Sequence, residues 1–476
     1  MNSLLQKSLK SGVVHLPGAT PASTALVTKL LKKDIEEHHC FFNDQYFHNH
    51  LAHHILSLHD LGASAECIQK MYDQEAAMQR PIRPNGTSES AAANKITEQN
   101  WTSNMGEKNA HMFPDYLAFF SSEIAKHGVG GALERYVFSP KANANGTLML
   151  ARFVGGALHP MIEAGFGVEF DQDYLVADGL AQAVLTTPES ATVMDMPSGL
   201  PQIKSGPSAT LLSLLREVYD SPKLAPMPYH NERLSNFTRF NDWLTSDPDV
   251  SATIRAIYAK WTFDLDDKDF DFGAKVDECM WQATLLLGAT SKPGRKPRLD
   301  FFLMHFLTVS LFFRRILDVL KEPLHKAQLL QVYVRSAALF VILRGRPRID
   351  PALAMTYSAS PAPPKNATGT LGYGSPWLAI LNNAVAHPEA HVVKSIRALF
   401  YCAQRYGDTA VGAVVGAVDE QGKETHPGAS ILDGTLFIRV AGVLTDSLGW
   451  VAHGEKDRFW DFSGIGWEEA WSEKDE

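Results

Sequence analysis

Residues 48–59 carry five of the chain's 18 histidines: His48, His50, His53, His54 and His59. Neutral imidazole is the commonest protein metal ligand, and it titrates near neutral pH. The stretch lies inside an apolar, helix-like pattern, so a metal is the first explanation to test. On a helix, residues four apart share a face, and His50 with His54 can chelate one ion; His50 with His53 is the close alternative. His48 falls before or at the first turn. His59 follows His50 by nine residues and, at about 100° per residue, points to the opposite face. The bland alternative makes some of these histidines surface groups or supports of a ligand.

Three more stretches carry chemistry-bearing groups among apolar residues. In Gly155–Gly167, His159 precedes Pro160, and Glu163 lies four residues on as a carboxylate on the same face. Glycine permits close approach of a backbone or ligand. Pro160 removes one backbone donor and can release the Gly156 carbonyl from the helix ladder. In Asp300–Thr308, His305 sits among Phe, Leu and Met, where an unanswered polar atom costs about 1–3 kcal/mol; a metal or a hydrogen bond would answer it. In His387–Leu399, His391 and Lys394 share a helical stripe. A desolvated lysine has a lowered pKa and turns nucleophilic, able to attack a carbonyl or take up carbon dioxide as a carbamate. The plain readings are core histidines and a solvated lysine.

Helices must position these groups. Apolar residues at 47, 51, 55, 58 and 61 predict a helix over Tyr46–Leu61, closed by Gly62, with Ser64 capping a second helix over Ala65–Met78. Further helical patterns cover 113–126, 147–164, 173–186, 208–219, 249–261, 273–288, 300–320, 324–343, 377–385, 389–405 and 432–447. No alternating β series or strand–helix alternation occurs, and 411–418 is ambiguous. The expected fold is mainly α: a single large helical domain over 1–476, with its core about 41–450 and polar surface loops at about 79–108 and 356–376.

Composition bounds the function. A net charge of −9 over 476 residues argues against nucleic-acid and anionic-membrane binding. Cys40, Cys67, Cys279 and Cys402 form no CxxC pair, and so few cysteines suit a reducing compartment. No secretory signal is evident over Met1–Val14, and the apolar run Phe301–Phe313 is too short to span a bilayer. A soluble cytoplasmic protein is expected. Rossmann, P-loop, HExxH and GxSxG motifs are absent.

Four stretches in order resemble the questin oxidase-like family. They are Asn49-His50-Leu51-Ala52-His53-His54 with Leu61-Gly62-Ala63-Ser64, then Leu158-His159-Pro160 with Gly165-Phe166-Gly167, then Asp300-Phe301-Phe302-Leu303-Met304-His305, then His391-Val392-Val393-Lys394 with Arg397. The family groups fungal proteins and bacterial relatives among enzymes of aromatic polyketide metabolism. The resemblance implies oxidative, Baeyer–Villiger-type opening of an anthraquinone ring by cleavage of a C–C bond. It also implies non-haem Fe(II) held by four histidines and a carboxylated lysine, which carry over to His50, His54, His159, His305 and Lys394. His53 and His54 both lie inside the matching motif. Dioxygen is the implied co-substrate and NADPH a candidate reductant, directly or through a partner reductase, although no NADPH-binding motif is present. His391 and Glu163 are the candidate catalytic groups, as proton shuttles or orienters. Phe47, Phe166, Phe301, Phe302 and Trp377 are candidate lining of a flat apolar pocket, or plain core. Two other classes compete: a Zn-dependent hydrolase, since helical histidine pairs do not separate zinc from iron, and a metal-free NADPH-linked monooxygenase.

Overall fold

The computed structural model describes residues 7–82, 96–195, 197–229, 242–244, 246–364 and 374–472. Residues 83–95 and 365–373 of the two expected loops, and the tail 473–476, lie outside the described residues. Among the described residues regular structure is helical, with isolated bridges such as Phe41 to His48 and no sheet. The fold is all-α, as the sequence predicts. The ambiguous stretch 411–418 consists of turns and bends and ends in an isolated bridge from Val418 to Glu424.

The helices used below are α1 Pro21–Glu37, α2 Leu51–Asp60, α3 Ala65–Ala76, α4 Phe113–Leu133, α5 His159–Phe170, α6 Asp173–Leu185, α7 Phe272–Gly288, α8 Phe301–Ser310, α9 Phe313–Val319, α10 Pro323–Leu343, α11 Ala390–Tyr406 and α12 Leu436–Leu448. Three predicted helices are shorter or broken. The helix predicted from Tyr46 begins at Leu51, because Tyr46 is left-handed and His48 pairs with Phe41 in a bridge. The pattern over 147–164 breaks before His159, where Gly156, Ala157 and Leu158 are all left-handed. The pattern over 300–320 divides into α8 and α9.

The chain forms two compact units. The first comprises Met1–Pro201 with Phe312–Val332, and the second Gln202–Leu311 with Tyr333–Glu476. In the first unit α1, α2 and α3 pack on one another, and α5 packs on α2, α6 and α9. Every residue of α2 is buried, His53, His54 and His59 included. A helix enclosed on all sides needs an internal partner for each polar group. Thus His59 Nε2 meets Thr24 Oγ1 at 3.0 Å, and Asp60 accepts the backbone N–H of Val14 and of His15. The glycines of α5 and α6 serve packing. A Cβ on Gly165 would lie 2.5 Å from Phe312 Cγ, and one on Gly179 would lie 2.6 Å from the Pro160 carbonyl.

In the second unit α8 packs on α7 and α11, and α12 packs on α7 and α11. The fully buried Asp300 starts α8, accepting the N–H groups of Phe302 and Leu303 on Oδ1. Its Oδ2 accepts Arg344 Nε at 2.7 Å, and the Arg344 guanidinium lies over the Phe302 ring. The apolar α10 is long enough to cross a membrane, yet its most apolar window is 94% buried within the protein.

Removing one member of a buried ion pair leaves the other charge uncompensated. Asp300→Ala is expected to lower the stability of the second unit by about 3–5 kcal/mol. The Asp300→Ala/Arg344→Met double variant is expected to recover part of that loss, read from urea midpoints. A single-variant loss under about 1 kcal/mol would refute the role of the pair.

Candidate metal centre

In the first unit, Asn49 prepares the entry to α2. Its Oδ1 accepts Leu51 N–H at 2.9 Å and its Nδ2 donates to Asp34. This places His50 at the N-cap, outside the regular helix. His50 Nε2 and His159 Nε2 are 2.8 Å apart, joining residues 109 positions distant in sequence. His159 Nδ1 is 2.6 Å from the Gly156 carbonyl, which only accepts, so Nδ1 bears the proton and Nε2 presents its lone pair. The bond between the two rings is therefore a His50 N–H donating to His159. Replacing that proton by a cation suits the spacing: two imidazoles about 2.1 Å from one ion and at right angles hold their nitrogens about 3 Å apart.

The carbonyl that fixes His159 belongs to the left-handed turn Gly156–Leu158. Pro160 stands at the second position of α5, where a missing N–H is harmless, rather than kinking a continuous helix. Left-handed geometry costs about 1–2 kcal/mol at each non-glycine residue, here Ala157 and Leu158. Gly156 also leaves room for His48: a Cβ there would meet His48 Cε1 at 2.7 Å. The His48 ring stacks on His159, with centroids 4.4 Å apart and planes within 2°.

The adjacent histidines diverge. His53 places its ring 5.5 Å from that of His50 and 6.4 Å from that of His159, but its Nε2 lies 2.7 Å from Glu163 Oε2. Its other neighbour is Phe166, stacked at 4.9 Å. His54 turns away toward α3, donating Nδ1–H to Glu75 Oε2 at 2.9 Å. Among the described residues its buried Nε2 has no hydrogen-bond partner. A carboxylate behind one nitrogen and an unanswered lone pair on the other is the arrangement of a metal-ligating histidine. The structure therefore brings His50, His159, His53 and Glu163 together, and it holds His54 by its Nδ1 edge against Glu75 with Nε2 buried.

In the second unit, fully buried His305 repeats the His159 device, with Nδ1–H donating to the Phe301 carbonyl at 2.9 Å. Desolvation first, then the charges of His391 and Lys394, hold its pKa well below the usual histidine value, so the ring is neutral. The His305 and His391 rings are 5.0 Å apart, and Phe301 lies 4.9 Å from each. Lys394 follows one turn after His391 on α11 and is 2% exposed, so it is a buried lysine and not a solvated one. His391 Nδ1 donates to Glu389 Oε1 at 2.5 Å, and Glu389 Oε2 accepts Trp460 Nε1 at 2.6 Å. Of the aromatic candidates, Phe166 and Phe301 cover histidines. Phe302 lies under Arg344, Trp377 packs on Phe400 and Phe47 on Phe42.

Sequence reasoning did not name Glu75, Glu389 or Trp460. Glu389 stands directly before α11, where a negative charge suits the helix dipole, and it accepts the N–H of His391. Glu75 and Trp460 reach their partners through tertiary packing, which no local pattern encodes.

The profile of the questin oxidase-like family matches residues 47–399, most of the chain and all four of the stretches above. The chain belongs to the questin oxidase-like family. A questin oxidase of Aspergillus fumigatus is 29% identical over 97% of this chain and 96% of its own length. A Baeyer–Villiger oxidase of Paecilomyces divaricatus is 26% identical over 82% of the chain and 80% of its own length. A Baeyer–Villiger monooxygenase of Cryptosporiopsis sp. is 28% identical over 82% and 83%. The protein is an oxidoreductase of that family.

Glu389 generates a pH prediction. Burial pushes its pKa up, but His391 and the Trp460 N–H outweigh burial and hold it below the ordinary 4.5. A depressed carboxyl stabilises the fold fully above its unfolded value and loses that contribution as pH falls toward the folded value. Urea midpoints taken between about pH 6 and about pH 3 are expected to fall less steeply in Glu389→Gln than in wild type. Parallel profiles would contradict the pairing.

Proposed function

We propose that the protein is an oxygenase that opens an anthraquinone ring of an aromatic polyketide by a Baeyer–Villiger-type reaction, using dioxygen and a non-haem iron. The chemistry class comes from the relatives, named questin oxidase and Baeyer–Villiger oxidase. The observation that carries the metal is the His50–His159 pair, in which a carbonyl commits His159 to present Nε2. Imidazole nitrogens suit iron, and an anionic oxygen donor offsets its charge. His50 and His159, with His54 and its Glu75 support, are the first unit's ligands in this reading. The family resemblance adds His305 and Lys394 to the ligand set, the latter as its carbamate.

When bound, iron supplies activation of dioxygen. The chain's own residues do the rest. His53 Nε2 and Glu163 Oε2, buried 2.7 Å apart, are the first unit's acid–base pair in this reading. Glu389 fixes the ring of His391 through Nδ1, and in this reading His391 moves a proton at Nε2. Phe166 and Phe301 cover imidazole faces and keep water from them. NADPH is the candidate reductant of the quinone, delivered directly or by a partner reductase.

Elemental analysis of the purified protein is expected to find stoichiometric iron, with oxygen uptake on addition of an anthraquinone and loss of uptake on chelation. Stoichiometric zinc without oxygen consumption would favour a hydrolase; full activity after chelation would remove the metal from the reaction. Lys394→Ala is expected to lose iron and turnover, with partial rescue by a small carboxylic acid; retention of both would exclude Lys394. Glu75→Ala is expected to weaken metal binding by about 10–100-fold in chelator competition. Unchanged affinity would exclude His54 as a ligand.

A further inference from the structure

In the first unit, a cavity of about 560 Å³ is lined by residues of the segments 98–109 and 141–152. The charged side chains on its wall are Glu98, Lys108, Lys141 and Arg152. Glu98 is already answered by Arg135 at 2.7 Å, with Lys126 at 3.8 Å. Lys108, Lys141 and Arg152 have no carboxylate within ion-pair distance among the described residues. The wall thus gathers three cations without counter-ions, in a chain whose net charge is −9.

We propose that this cavity binds the phosphate group of a small polar metabolite, with Arg152 as the fixed anchor and Lys108 and Lys141 adding charge at the rim. Arg152 is half-buried and held in place. Its Nε–H donates to the Thr147 carbonyl at 2.8 Å and its Nη1–H to the Thr186 carbonyl at 2.6 Å. Two neutral acceptors orient the guanidinium without neutralising it, and Nη2 keeps no protein partner among the described residues. A guanidinium already oriented loses little freedom on binding, and its planar fork matches the oxygens of a phosphate. Burial holds the Arg152 pKa below the ordinary arginine value, and Glu107, acting from beyond ion-pair distance, only partly offsets it. A partly desolvated charge of this kind is costly until an anion answers it. The cavity is larger than a phosphate ion needs, so the group carries a body. Thr102, Ser103, Asn104 and Asn145 offer that body hydroxyl and amide groups, which suit a hydroxyl-rich molecule rather than a flat apolar ring. The site shares no residue with the histidine clusters and needs no metal.

The test titrates the full chain with sodium phosphate, glucose 6-phosphate and adenosine 5′-monophosphate by isothermal calorimetry, each at the same ionic strength set with sodium chloride. Saturable binding of one ligand per chain is expected, with at least one of the two esters bound more tightly than inorganic phosphate. Arg152→Gln removes the charge yet keeps a donor for one carbonyl, and is expected to weaken binding by about 10-fold or more. Lys108→Glu/Lys141→Glu reverses two exposed charges. It is expected to abolish binding while melting, without phosphate, at the wild-type temperature; it decides the question if Arg152→Gln does not melt cooperatively. No saturable binding of any of the three probes, or affinity unchanged in the double variant, would overturn the proposal. Inorganic phosphate bound as tightly as both esters would overturn the organic body assigned to the ligand.

Discussion

An imidazole buried among apolar side chains must have its polar edge answered, and in this protein the answer repeatedly falls on Nδ1. A carbonyl takes the Nδ1 proton of His159 and of His305, and a carboxylate takes that of His54 and of His391. Each such bond fixes the tautomer and the ring plane, and leaves Nε2 as the outward nitrogen. The histidine-rich helix, the left-handed turn and the Asp300 cap all serve this arrangement. Without the Nδ1 partners, the same rings would be mobile between tautomers.

That constraint explains several local departures from regular structure. α2 starts at Leu51, so that His50 stands at the N-cap and reaches His159 rather than continuing along the helix beside His54. α5 starts at His159 because three left-handed residues turn the chain, and the carbonyl that Pro160 would release within a helix is instead consumed by the ring. Strain of this kind survives because neighbouring elements are locked onto it: His48 stacked on the ring, and the loop after α6 held by Arg152.

Much of this was legible in the sequence, for physical reasons that also mark where reading stopped. The long amphipathic or fully apolar runs that form α6, α7, α10 and α11 lie close to their predicted spans, because burial of a continuous apolar face dominates their stability. The histidines and Lys394 stood out because polar groups in apolar helices require a reason. The choice between His53 and His54 was not readable: their directions differ by about 100°, and what separates them is Glu163 on one side and Glu75 on the other. The break at 156–158 was also hidden, since Ala157 and Leu158 have no intrinsic preference for left-handed geometry and adopt it only under tertiary contact.

The central claim is that His50 and His159 present directed nitrogens to one iron ion. An anomalous-difference map at the iron edge, from crystals of the protein loaded anaerobically with Fe(II), tests it directly. The account expects a peak within bonding distance, about 2.1 Å, of His159 Nε2 and of His50 Nε2. A map with the two nitrogens still hydrogen-bonded to each other and no anomalous density beside them would contradict it.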